Sequence, residues 1–133
     1  MQNTAAAGFE PYLRSLARFV IGFTFWLHGP QKVFGAFGGL GGFHPPLGSM
    51  LGIGGVIELI GGALIILGLF TRPVAFVMAG EMAVAYFEAH APRGFWPISN
   101  GGELAVVYCF FFLWLSAAGP GPLSLDRLLR PKS

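Results

Sequence analysis

Residues 50–70 read MLGIGGVIELIGGALIILGLF, with Glu58 as the one ionisable side chain. A helix of ~20 apolar residues matches the ~30 Å hydrocarbon core of a bilayer, so this stretch is expected to cross a membrane. Gly54, Glu58 and Gly62 recur at every fourth position. That spacing places the carboxylate on a helix face stripped of bulk, and small residues let helices approach closely in lipid. Because a charge at the bilayer centre costs at least ~2.5 kcal/mol, Glu58 is expected to face protein.

The remainder of the chain has the same character. Charged residues make up 11% and hydrophobic residues 54% of its 133 residues, against about 25% charged in soluble domains. A soluble chain of this size buries only about two thirds of its surface and needs charge to cover the rest. Three further apolar runs, Leu13–Phe34, Pro73–Ala89 and Gly101–Ala118, join Met50–Phe70 as candidate spans. The expectation is a single domain over residues 1–133: an all-α, integral membrane four-helix antiparallel bundle. The short link Phe70–Pro73 forces its two flanking helices to run antiparallel, and four spans return both termini to one face.

Cationic loops are retained on the cytoplasmic side. Arg14, Arg18, Arg72, Arg127, Arg130 and Lys132 fall on the terminal face, against Lys32 and Arg93 opposite. Both termini are therefore expected in the cytoplasm. Arg14 and Arg18 are expected to snorkel toward headgroups, and residues 1–11 to be frayed or interfacial. The stretch Met1–Gly8 has no basic region of the kind a cleaved signal carries, so the first span is expected to be retained.

Several chemistries are disfavoured. The basic residues account for topology and form no aromatic-interleaved groove, so nucleic acid is not expected as a partner. Cys109 is the sole cysteine, which excludes an internal disulfide, a dithiol redox motif or a cysteine-based zinc site within the chain. It is expected to pack. The glycines of residues 35–46 resemble a nucleotide loop, but no Gly-Lys-Ser/Thr follows and no strand precedes them. A flexible outer loop with interfacial aromatics is the better account. His44 and His90 read as loop or helix-end residues, and Phe110 to Phe112 as lipid-facing or core.

The informative residues are the polar ones within the spans. Arg18, Gly22, Phe25, Gly29 and Lys32, at steps of four, three, four and three, share one helix face. With the expected topology His28, Lys32, Glu58, Glu88, His90 and Glu103 reach the outer half, and Glu81 lies near the midplane. The candidate site is His28, Lys32, Glu58, Glu81, Tyr86, Glu88 and Glu103. Four ionised glutamates and one lysine would leave three net negative charges in low dielectric. Relief requires protonated carboxylates, entering water or a compensating cation.

One reading makes these groups hydrogen-bonded glue between helices. Another makes them a quinone site, with His28, Lys32 or Tyr86 donating to carbonyls and a carboxyl delivering protons. A metal centre is not adopted, because Glu88 and His90 do not share a helical face and no Glu-x-x-His pair is present. A small-substrate or ion carrier would have its glutamates in the spans but lacks an internal repeat.

The ordered motifs are His28-Gly29-x-x-Lys32-x-x-Gly35, Glu58-x-x-Gly61-Gly62 running to Gly68-Leu69-x-Thr71-Arg72, Met82-Ala83-Val84-Ala85, Asn100-Gly101-x-Glu103, and Gly119-Pro120-Gly121-x-x-Ser124-Leu125-Asp126. Together, over roughly residues 14–127, they resemble the DoxX family of small four-helix membrane proteins. The resemblance implies a multi-pass protein of the bacterial plasma (inner) membrane. Some relatives are membrane subunits of thiosulfate:quinone oxidoreductase, and others are partners of redox-defence enzymes. The expected function is thus a small membrane subunit that docks or serves a quinone-linked or other respiratory redox complex, with quinone as the candidate cofactor and another subunit as partner. The alternative is a non-catalytic scaffold or assembly protein. The family implies no catalytic residue set.

Overall fold

A computed structural model of the chain describes residues 4–130. Among them every regular element is helical, apart from one isolated bridge between Leu40 and Phe43. Helix α1 spans Thr4–Trp26, α2 His28–Phe34, α3 Met50–Leu67, α4 Thr71–Ala85, α5 Pro97–Asn100, α6 Glu103–Ala118 and α7 Leu125–Leu129. The four expected spans correspond to α1 with α2, then α3, α4 and α6.

Residue pairings give the directions. Gly22 lies beside Ile65, Trp26 beside Gly62, Gly29 beside Leu59 and Lys32 beside Gly55, so α1 and α2 run antiparallel to α3. Gly61 meets Met78 and Gly54 meets Glu81, which orients α4 against α3. Arg72 bonds Ala117 and Tyr86 abuts Gly102, which orients α6 against α4. Phe25 of α1 on Phe112 and His28 of α2 on Tyr108 close the ring against α6. The core at the centre is Phe25, Ile65, Ala75, Met78, Phe112 and Leu115, with Phe25 edge-on to both Tyr108 and Phe112 at 5.2 and 4.9 Å.

The stripe from Arg18 to Lys32 is what packs on α3. A Cβ at Gly29 would sit 2.6 Å from the Leu59 backbone, and one at Gly62 would sit 2.9 Å from Trp26. Glycine at these positions lets the helices touch backbone to backbone.

The element boundaries differ from expectation where local chemistry intervenes. The first span is broken at Leu27, because Pro30 has no N–H to give the Trp26 carbonyl. Helix α3 stops at Leu67, where Gly68 takes φ 67° and its amide, with that of Leu69, closes on Ile65 and Leu64. Helix α4 passes into a π-helical turn, Tyr86–His90. The first segment, expected to be frayed or interfacial, is helical from Thr4; residues 1–3 lie outside the described residues, as does Lys132 of the topology count.

The outside of the bundle is apolar: Phe19, Ile53, Ile60, Phe76, Val107 and Phe110 are all about half exposed or more. Patches of this extent are foreign to soluble monomers. Among the described residues Met50–Leu67 alone is both long and apolar enough to cross a bilayer; Glu103–Ala118 is apolar and shorter.

Gly29→Ala is expected to destabilise the bundle by about 1–3 kcal/mol through overpacking on Leu59. Gly80→Ala, where a Cβ meets nothing within 4 Å, is expected to be neutral or stabilising, by up to ~1 kcal/mol. Melting of the purified variants in one detergent checks both.

Candidate functional site

Three of the sequence-selected residues meet. Lys32, projecting from α2, places Nζ 2.7 and 2.8 Å from the two oxygens of Glu58 on α3. Glu58 is buried, at 2% exposure, while the Lys32 side chain keeps 18%. Gly55 makes room for the lysine stem, since a Cβ there would stand 2.8 Å from Lys32 Cβ. Glu81 reaches in from α4 over Gly54, whose Cβ would lie 3.2 Å from Oε1. Its carboxyl is in hydrogen-bonding contact with that of Glu58. Two carboxylates are both acceptors, so the contact becomes a hydrogen bond only when the pair holds a proton. Without it, Glu81 Oε2 is buried and has no donor.

The other candidates go elsewhere. His28 packs its ring on Tyr108, whose hydroxyl donates to Thr24 at 3.1 Å. Tyr86 is buried and donates to the Phe95 carbonyl, and Asn100 Nδ2 donates to the Tyr86 hydroxyl at 3.1 Å and to the Gly94 carbonyl at 2.7 Å. His90 stacks on Tyr86 and its Nδ1 lies 3.2 Å from the Asn100 carbonyl. This network fixes the loop between α4 and α6. Seven residues apart on a regular helix, Glu81 and Glu88 would share a face; the π-helical turn rotates the last residues, and Glu88 is exposed. Glu103, at the first turn of α6, is exposed too. The convergence expected of the whole set is therefore confined to Lys32, Glu58 and Glu81.

A second polar centre, at the face that carries the chain ends, was missed from sequence. Arg18 does not snorkel: it is buried at 2% exposure, donating through Nε to the Ile65 carbonyl at 2.9 Å, and to the Pro120 and Leu123 carbonyls. Arg14 donates to the Ala118 carbonyl and pairs with Glu10 at 3.1 Å. Arg72 donates to the Ala117 carbonyl. The last carbonyls of a helix have no partner within it and carry partial negative charge, so these guanidiniums close the ends of α3 and α6.

Asp126 does the converse. Its two oxygens accept the amides of Phe70 and Thr71 at 2.8 and 2.9 Å, capping α4 from the far end of the chain. Phe70 sits at φ 52°, a left-handed conformation unusual for a bulky side chain. Burial alone would raise the Asp126 pKa, but the Thr71 and Phe70 bonds and the Arg18 charge hold it below the ordinary carboxylate value. The signal was present in the motifs Gly68-Leu69-x-Thr71-Arg72 and Gly119-Pro120-Gly121-x-x-Ser124-Leu125-Asp126. At Gly121, φ 81°, a Cβ would lie 2.2 Å from Ser15 Oγ.

Comparison with known proteins gives a family and several relatives. The DoxX family profile matches residues 13–91. An uncharacterised protein of Haemophilus influenzae is 44% identical over 90% of this chain and 92% of its own length. The Escherichia coli inner membrane protein YphA is 31% identical, with 89% and 91% covered. An uncharacterised membrane protein of Mycobacterium tuberculosis is 28% identical, with 87% and 80% covered. No solved structure gives a significant match.

Two outcomes are expected. Lys32→Met, which strands buried Glu58, should cost about 3–5 kcal/mol, and Lys32→Met with Glu58→Gln should recover much of it; a double-mutant cycle on melting reads this directly. Asp126→Asn should cost ~1 kcal/mol at neutral pH by weakening the cap. Because the folded pKa lies below the unfolded one, the stabilisation by Asp126 is complete above the ordinary carboxylate range and disappears as pH falls through the depressed value. The gap between wild type and Asp126→Asn should therefore close in acid.

Proposed function

This chain belongs to the DoxX family, and from that premise we propose that it is a four-span subunit of a quinone-linked redox complex in the bacterial plasma membrane, with both ends in the cytoplasm. A membrane location is supported by relatives named as membrane proteins and by the apolar exterior. The orientation rests on the basic residues gathered at the terminal face.

One observation carries the reading. Where α2, α3 and α4 meet, one ammonium faces two carboxylates in contact with each other. A proton held by the pair balances the charges, and an intramembrane proton store that can be loaded and emptied suits a site where redox chemistry consumes protons.

The surroundings fit a quinone. A groove of about 340 Å³ runs between α3 and α4, lined by Val56, Ile57, Ile60, Val74, Val77 and Met78. Ile57 adjoins Glu58 in sequence, and Val74, Val77 and Met78 fall on the helix face that carries Glu81. The groove suits an isoprenoid tail, and Lys32 Nζ and a protonated carboxyl suit quinone carbonyls. A bound quinone would supply the electron-accepting group and require two protons on reduction. In this arrangement Lys32 anchors Glu58, and Glu81, on the same face of α4 as the groove residues, holds the transferable proton. His28 and Tyr86, engaged in other networks, are not assigned to it.

A non-catalytic scaffold is the second reading, favoured by the closed Lys32–Glu58 contact. Purification from native membranes in mild detergent, followed by extraction of lipids and identification of co-purifying proteins, separates the two. The redox reading predicts quinone in near-stoichiometric amount with wild type and roughly tenfold less with Glu81→Leu at unchanged melting, the worth of one hydrogen bond. Quinone at the membrane-lipid background in both would contradict it and leave the scaffold.

A further inference from the structure

We propose that the face carrying the chain ends holds a binding site for the headgroup of an anionic phospholipid, independent of any quinone. A cleft of about 740 Å³ opens there between the start of α1, the α3–α4 link, the end of α6 and α7. Arg14, Arg72, Arg127 and Arg130 line it, and Asp126 is the one acid among the lining residues. Both Asp126 oxygens accept the Phe70 and Thr71 amides, and among the described residues Asp126 forms no ion pair with a cleft arginine.

The four arginines divide by role. Arg14 and Arg72 are held in place by the terminal carbonyls of α6, which fixes their guanidiniums while leaving other N–H groups of each free to donate. Arg14 also shares its charge with exposed Glu10. Arg127 and Arg130 are exposed and their side chains make no hydrogen bond to any described residue. Two fixed and two free guanidiniums around one cleft match a phosphate, whose oxygens take paired N–H donors.

The rim identifies the source of the phosphate. Phe70 and Leu129 line the cleft with exposures of 61% and 69%, beside Leu69 and Pro73. A free phosphate would satisfy the arginines and leave this apolar rim bare, whereas a lipid lays its acyl chains against it. The position agrees, because the cleft lies where α4 begins and so at the depth of headgroups if α4 enters the bilayer.

The test uses the full chain in a neutral detergent and reads melting and, by native mass spectrometry, bound lipid. Phosphatidylglycerol is expected to raise the melting temperature of wild type and to remain bound, while phosphatidylcholine and inorganic phosphate do neither. In Arg127→Gln/Arg130→Gln, which removes no side-chain hydrogen bond among the described residues, the lipid concentration required should rise roughly thirtyfold, as two basic residues near an anionic surface predict. In wild type the effect should fade in 1 M salt, where the screening length is about 3 Å. Equal stabilisation by phosphatidylcholine, saturation by inorganic phosphate alone, a wild-type response in the double variant or indifference to salt would each overturn the proposal.

Discussion

The Lys32–Glu58 contact is the constraint around which the rest is arranged. A carboxylate at 2% exposure has lost its water, and an unpaired charge in such a place costs several kcal/mol. The chain meets that demand by bringing the end of the first helical segment against the middle of α3. Close approach then requires glycine along the shared seam, at Gly22, Gly29, Gly55 and Gly62. Glu81, arriving from α4 over Gly54, adds a second acid that one ammonium cannot balance. The same packing that makes the bundle possible thus creates the chemically unusual point within it.

At the opposite end, the problem is one of unpaired backbone groups. Helix ends leave carbonyls and amides without intrahelical partners. Arg14 and Arg72 take those of α6, Arg18 those of α3, and Asp126 the first amides of α4. The tail of the chain is drawn into the bundle by these bonds, with Ser15 receiving the Leu123 amide at 3.1 Å. Arginines at this face thus close the helices by their hydrogen bonds.

Much of this was legible from residues alone. Periodicity located the stripe from Arg18 to Lys32 and the small-residue face around Glu58, because both follow from helical geometry. Lys32 and Glu58 belong to the groups readable as hydrogen-bonded glue between helices, since each is costly in lipid alone; their specific pairing is not in the sequence. Three things were hidden. The π-helical turn at Tyr86 has no composition signature, so by spacing Glu88 reads as sharing the face of Glu81. Arg18 carries the same charge whether it snorkels or binds carbonyls, and only the folded tail distinguishes the two. Asn100 and Tyr86 form their network through a loop whose path no periodicity describes.

The functional account turns on the two carboxyls sharing a proton beside Lys32. The infrared spectrum of the purified protein at neutral pH tests this most directly. The account predicts the carbonyl stretch of one protonated, buried carboxylic acid in wild type and its loss in Glu81→Gln. A spectrum with carboxylate bands alone, in a protein that is folded, would contradict it.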